Sequence, residues 1–232
     1  MENLMNSARF AMLAIAGLLL GAPASAASLS VSPIRVDVVS PANGGKVTLR
    51  NASQGPINVQ VRVFKWSLKA GLDDFQETQQ VVASPPFAQV PQNGEIEIRV
   101  LRASGGKVQG EESYRLVIDE VPDANRVKNV GVNVALRYAL PVFCLDPEAS
   151  SARLSWSLRR VGGGNSLVVT NTGDKHVRIA DLAIDGVVIS RGLAGYVLGN
   201  STRVFPLPAG RGSGGKVSAV TEQGRLDARL SP

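Results

Sequence analysis

The sequence predicts an all-β protein built as two β-sandwich domains, and three observations carry that prediction. Period-two alternation of apolar and polar residues recurs from Ser28 to the end, while the spacing of an amphipathic helix is nearly absent. The alternating segments are short and are parted by clusters of Gly, Pro, Asn and Ser, as strands joined by turns require. After Asp146-Pro147 the pattern restarts, which leaves room for a second, smaller sandwich.

Residues 1–26 stand outside the fold. Arg9 precedes an apolar run from Ala11 to Ala22 (AMLAIAGLLLGA), then come Pro23 and the small triplet Ala24-Ser25-Ala26. That is the layout of a secretory signal peptide cleaved after Ala26. The apolar run falls short of the ~20 residues that a membrane span needs. An exported protein with no membrane insertion of the mature chain is therefore expected.

The spans 29–39, 46–51, 57–68, 87–90, 95–101 and 114–121 read as strands, followed by one long strand from Val130. Seven strands in this length is the count of an immunoglobulin-like sandwich. Pro85-Pro86 ahead of Phe87 marks an edge, since proline cannot donate to a ladder. In the second half, 153–160, 166–171, 177–184, 187–190, 202–206 and 216–221 are the candidate strands. Gly162-Gly163-Gly164 and Asp185-Gly186 read as hairpin turns. The expected division is 1–26 signal peptide, 27–147 N-terminal domain and 148–232 C-terminal domain.

Composition removes several function classes. The chain carries 25 Lys+Arg against 19 Asp+Glu, a net charge of +6. Losing Arg9 and Glu2 with the leader leaves that balance unchanged. The basic residues are scattered, with no interleaved aromatic platform, so nucleic acid is not an expected partner. Cys144 is the only cysteine and His176 the only histidine. No intrachain disulfide can form, and neither a zinc site nor a Ser-His-Asp triad is identifiable. Gly210–Gly215 lacks the spaced Gly, Lys and Ser/Thr of a phosphate loop. An enzyme is not expected, and no cofactor is implied.

The long strand is the most informative segment. Val130, Val132, Val134, Leu136, Tyr138, Leu140 and Val142 share one parity, with small or polar residues between them. Ordinary strands run about 5–6 residues. An apolar strand of this length at a sheet edge invites pairing with another chain. Strand donation to a partner is one reading; packing of the same stripe against its own core is the other.

Taken in order, the segments SVSPIRVDV, LRNASQGPINVQVRVFKW, SPPFAQVPQNGEIEIRV, YRLVIDEVP and VGVNVALRYALPVF, with SLVVTNTGDKHVRIADL in the second half, resemble the periplasmic chaperones of the chaperone–usher pilus pathway. The resemblance implies two immunoglobulin-like domains in a boomerang and residence in the periplasm. It implies that strand G of the first domain fills the groove of an incomplete pilus subunit, which is then handed to an outer-membrane usher. Val130, Val132, Val134, Leu136 and Tyr138 are the donor residues it implies. The short link between Pro122 and Val130 resembles the short-loop type, and the motif style is similar to the archaic, Csu-type branch.

The family also holds the subunit's C-terminal carboxylate with basic cleft residues. Arg35 matches the first of these, whereas Pro141 stands where a lysine is usual. Arg137 and Arg115 are the implied replacements, since a guanidinium binds a carboxylate bidentately. An interdomain ion network has its acidic member at Glu120 by the same resemblance, with its arginine position near Leu145 altered. The competing class is a secreted structural pilin or adhesin, which by resemblance would carry a cysteine pair and a free N-terminal extension. The exposed apolar stripe further predicts self-association of the free protein, or a loop folded over the strand.

Overall fold

The computed structural model describes residues 29–122, 135–161, 163–208 and 215–230. The first half contains β1 (Leu29–Ser32), β2 (Val36–Val39), β3 (Gly44–Asn51), β4 (Ile57–Lys69), β5 (Leu72–Glu77), β6 (Val81–Ser84), β7 (Phe87–Val90), β8 (Glu95–Arg102), β9 (Glu111–Val121) and β10 (Arg137–Leu145). They form two facing sheets, β1-β3-β8-β6 and β2-β10-β9-β4-β5, with β7 also on β4. The second half contains β11 (Leu154–Val161), β12 (Gly164–Asn171), β13 (Val177–Ile184), β14 (Val187–Val188), β15 (Leu193–Val197), β16 (Ser201–Pro206), β17 (Lys216–Thr221) and β18 (Gly224–Arg229). Its sheets run β11-β12-β16 and β14-β13-β17-β18, with β15 on β13. The described residues contain no helix. This is the two-sandwich, immunoglobulin-like architecture that the alternation predicts.

The expected single strand at 29–39 is two strands on different sheets. β1 pairs antiparallel with β3, whereas β2 pairs parallel with β10, Val36 opposite Val142. Pro33 lies in the break, where its missing N–H cannot continue a ladder. Four short strands, β5, β6, β15 and β18, were not legible from periodicity. β5 reads LDDFQE, and its residues are mostly exposed. A tight turn holds it: Lys69 faces Leu72 across Ala70 and Gly71, both at positive φ (51° and 81°). That is the backbone a two-residue hairpin needs. The Asp185-Gly186 hairpin, expected from sequence, has the same character (φ 47° and 78°).

Each sandwich closes on its own apolar core. Val47, Leu49, Val59, Val61, Ile98, Leu116, Ile118 and Val142 meet in the first. Trp156, Leu167, Val169, Ile179, Leu182, Val197 and Val217 meet in the second. Each core also buries one asparagine at a strand end. Asn51 donates to Gly55 O and Val90 O and accepts from Ser53 N and Oγ. Asn171 donates to Lys175 O and Leu198 O and accepts from Arg153 N and Gly173 N. A buried amide so satisfied avoids the desolvation cost of a lone one and pins the loop around it.

A third apolar cluster joins the two halves: Trp66, Phe143, Tyr196 and Leu198, with Leu68 and Leu145 against them. Trp66 meets Tyr196 edge-on, ring centres 5.4 Å apart, and lies 6.0 Å from Phe143. A backbone hydrogen bond also crosses this seam, Val204 N to Gly71 O at 2.9 Å.

Gly71 fits there for lack of a side chain. A Cβ would sit 2.3 Å from Val204 Cγ2 and 2.9 Å from its backbone nitrogen. Gly71→Ala is expected to loosen the seam, lowering stability in urea by about 1–3 kcal/mol and speeding amide exchange at Val204. Gly163→Ala, also at positive φ but in open space, should show backbone strain without faster exchange at Val204.

Candidate functional site

β10 is closed on one side and half open on the other. β9 pairs along its whole length, from Arg137 opposite Asp119 to Leu145 opposite Glu111. On the other side β2 covers only Val142–Leu145. Among the described residues nothing pairs with Arg137–Pro141 on that edge. Pro141 sits at the changeover, a position where a strand tolerates proline. Leu136 extends the β9 side by one step, its carbonyl accepting from Glu120 N and its N–H donating to Glu120 Oε2.

Side-chain alternation divides β10 between two duties. Leu140, Val142 and Cys144 point into the first core. Phe143 and Leu145 point outward into the seam. Both faces are buried here, which is why the alternation seen from sequence ends at Val142 in the continuous run LPVFCL. Of the five donor candidates, Leu136 and Tyr138 are half-buried against the domain's own core. The Tyr138 hydroxyl donates to Leu29 O. Val130, Val132 and Val134 lie outside the described residues.

The three candidate anchors fall at two levels of the sheet. Arg115 is opposite Pro141 on β9, and Arg35 directly precedes Val36, the partner of Val142. Arg35, just before β2, and Arg115, on β9, therefore flank Pro141. Arg35 pairs with Asp37 (2.9 Å) and with Glu222 of the second domain (3.8 Å). Arg115 lies 3.8 Å over the Trp66 ring, with one N–H 3.5 Å from Ala139 O. Among the described residues no carboxylate pairs with it. Burial pushes its pKa down from the ordinary value, while the charges of Asp73 and Tyr196 oppose that shift. Arg137 lies four residues up β10, where it and Arg62 share Asp119. Burial raises that carboxyl's pKa, but hydrogen bonds from Arg137 and Arg62 outweigh it and hold the value low.

Arg62, Arg115 and Arg137 line one surface groove of about 450 Å³, walled by Phe64, Phe75, Val117 and Ala139. Arg62 and Arg137 share the Asp119 carboxylate and Arg115 pairs with none among the described residues, so the charged side chains lining the groove are cationic. The structure brings Arg115 and Arg137 together here and leaves Arg35 across β10, outside the groove. Arg62 was missed from sequence. Its signal was parity with Phe64 and Trp66 on β4, which places it on the same outer face.

Glu120 is not an interdomain residue: it bonds Leu136 within the first domain. At the seam the acidic residue with a fully buried side chain is Glu111, alongside the partly exposed Asp73 and Glu222. Glu111 accepts from His176 N, and its Oε2 lies 2.7 Å from His176 Nδ1. The His176 ring stacks on Phe143 at 3.5 Å. The lone histidine thus serves the domain contact. Cys144 is buried, and desolvation pushes its pKa up to about 11, which suits an inert thiol. Opposite, Arg203 grips Asp73 with two bonds of 2.8 Å, and Trp66 Nε1 donates to the same carboxylate at 2.8 Å.

Burial acts to raise the Asp73 pKa, yet the hydrogen bonds from Arg203 and Trp66 hold it below the ordinary value. A carboxyl lowered in the folded state stabilises above its unfolded pKa and loses that contribution as pH falls through the folded one. The seam is expected to weaken below about pH 4. Asp73→Asn should lower stability at neutral pH and flatten the acid dependence in urea titrations between pH 2 and 6.

Residues 28–149 match the family model for the pili and flagellar-assembly chaperone, PapD N-terminal domain. The chain belongs to this family of chaperones. Among solved structures it resembles the CsuC–CsuE chaperone–tip adhesion subunit pre-assembly complex of archaic Csu pili from Acinetobacter baumannii. That match is 26% identical over 88% of this chain and 98% of that one, TM-score 0.74. The E. coli chaperone DraB matches at 22% identity over 88% and 97% of the two chains, TM-score 0.64. The Salmonella enterica SafA pilin–SafB chaperone complex matches at 20% identity over 88% and 96%, TM-score 0.66. No curated protein matches the chain.

Proposed function

We propose that this protein binds incomplete pilus subunits by lending them the strand that leads into β10, and that it passes them to an outer-membrane usher. The observation that carries the reading is the half-open edge of β10. A guest strand laid along Arg137–Pro141 runs collinear with β2 and stops where β2 begins, at Arg35. If it runs parallel to β10, its C-terminus arrives beside Pro141, between Arg35 and Arg115. Main-chain hydrogen bonds supply affinity, and alternate side chains fill successive pockets.

Val130, Val132 and Val134 are the donor side chains in this proposal. Leu136 and Tyr138, engaged by the first core, form the foot of the stripe. Arg115 is the best-placed carboxylate anchor, being charged, half-buried and, among the described residues, without an acidic partner in a salt bridge. Arg35 must first exchange Asp37 and Glu222, and Arg137 reaches the same groove from farther along the strand. The chain works by binding, without catalysis. It acts in the periplasm after loss of residues 1–26, as domains 27–147 and 148–232. The free protein covers its apolar stripe by self-association or with a loop.

Val132→Asp and Val134→Asp should abolish subunit recovery in periplasmic co-purification while the melting temperature of the free protein stays unchanged. A charge forced unpaired into an apolar groove costs several kcal/mol. Leu136→Asp should lower the melting temperature as well, since that side chain packs its own core. Arg115→Lys retains charge but loses the planar fork, and should lower recovery more than Arg137→Lys. Wild-type recovery from both valine variants would refute the donor strand.

A further inference from the structure

Between the domains, beside Arg35 and His176, opens a cavity of about 450 Å³. Along its wall, groups of opposite charge follow one another. Asp37 meets Arg35 at 2.9 Å, Arg35 meets Glu222 at 3.8 Å, Glu222 lies 3.9 Å from His176 Nε2, and Nδ1 of the same ring lies 2.7 Å from Glu111. This row of contacts crosses from one domain to the other twice, at Arg35–Glu222 and at His176–Glu111. Its signs alternate throughout only when the His176 ring is charged.

The two ring nitrogens have different duties. The buried Glu111 carboxylate accepts, so Nδ1 carries a hydrogen toward it, and a neutral ring suffices for that bond. Nε2 of a neutral ring is then an acceptor that faces another acceptor on Glu222. Only a ring protonated at both nitrogens has a donor there. The Glu222 oxygen concerned, Oε1, is 3.8 Å from Arg35 Nη1 and 3.9 Å from His176 Nε2. One carboxylate oxygen thus stands between a permanent cation and a conditional one. The ring is fixed by its stack on Phe143, 3.5 Å between centres. Glu222 lies in the turn between β17 and β18, partly exposed, and accepts from Arg178 N at 3.0 Å. The carboxylate is therefore the partner that can shift. The other charged side chains lining the cavity are Lys175 and Asp227, the latter taken by Lys216 and Arg225. Tyr196, 5.8 Å from the ring between centres, has its pKa raised by burial and stays a neutral phenol.

We infer that this row of charges is a proton-operated latch: a proton taken up from solvent at His176 Nε2 draws Glu222 onto the ring and leaves Arg35 with Asp37 alone, and loss of that proton returns Glu222 to Arg35. The same proton strengthens the bond to Glu111, since a charged donor makes the stronger hydrogen bond. The ring contact with Glu222 is present while both nitrogens are protonated and is lost as pH rises through the histidine range. The latch stands on these contacts alone and does not require Arg35 to meet a guest.

The test uses the full chain without any partner and reads melting temperatures of double-mutant cycles at about pH 5.5 and pH 8, which bracket the ordinary histidine range. His176→Asn retains an N–H donor but takes up no proton, and Glu222→Gln keeps the shape of the carboxylate. The His176–Glu222 coupling should be about 2 °C at the lower pH and vanish at the higher. The Arg35–Glu222 coupling, measured with Arg35→Gln, should do the reverse. A His176–Glu222 coupling equal at the two pH values, or an Arg35–Glu222 coupling that does not grow with pH, overturns the latch. His176 is the only histidine, so its ring C–H resonance follows the titration without assignment. In Glu222→Gln that resonance should titrate at lower pH than in the wild type, by at least about 0.3 unit. An unchanged midpoint also overturns the latch, and this measurement decides even where His176→Asn does not fold.

Discussion

Strands β4 and β10 are each covered on two faces at the end nearest the second domain, and that double burial organises the molecule. Val63 of β4 and Leu140 and Val142 of β10 pack against the first core. Trp66 of β4 and Phe143 of β10 point the other way, into the seam with Tyr196 and Leu198. An aromatic side chain buries roughly 150–250 Å², so this small cluster supplies a large share of the apolar contact between the domains. Because the same strands carry core and seam, the position of the second domain is tied to the register of the first. The opposite end of β10 is released from that constraint and is left with an open edge.

Polar contacts around the seam give the apolar cluster its specificity. The Asp73–Arg203 fork and the Trp66 indole bond stand at one side. Glu111, His176 and the Arg35–Glu222 pair stand at the other. The Asp73–Arg203, Glu111–His176 and Arg35–Glu222 contacts join the first domain to the second, and the indole bond holds Asp73 in place for Arg203, so sliding at the seam would strip the buried Glu111 and Arg203 of their partners, a state that costs more than the bonds contribute when made. Arg115 belongs to this border: its guanidinium lies 3.8 Å over the Trp66 ring and also lines the groove. The anchor candidate and the domain contact share a side chain.

The fold was legible where one face of a strand is buried and the other is not. Lys216–Thr221 was placed to the residue because alternation there is complete, and Val177–Ile184 was too, although its buried parity switches at Ala180, where the register is irregular. β5 escaped because LDDFQE has no apolar stripe; it is held by a turn and by the Asp73 contact to a distant arginine. The break at Pro33 escaped because both pieces keep the same alternation and only their partners differ. At the site, Arg115 stood out as a charge within an apolar strand. Its stacking on Trp66, by contrast, depends on a neighbour strand and on a second domain, neither of which periodicity reports. Glu120, matched by resemblance to the acid of an interdomain network, lies at the end of β9 beside Leu136, whereas Glu111 at the other end of the strand meets the second domain.

The pairing of β2 with β10 has a consequence for the order in which the chain assembles. Val36 and Val142 are neighbours in space yet lie at opposite ends of the first domain's sequence. β1 and β2 also sit on different sheets, so the segment from Leu29 to Val39 closes both layers of the sandwich at once. Contacts of such long sequence separation form slowly, because the loop between them must be closed before any bond is gained. Because the chain is synthesised from its N-terminus, β2 must wait for β10 to follow. The β2–β10 pairing is thus among the last contacts to form in the first domain.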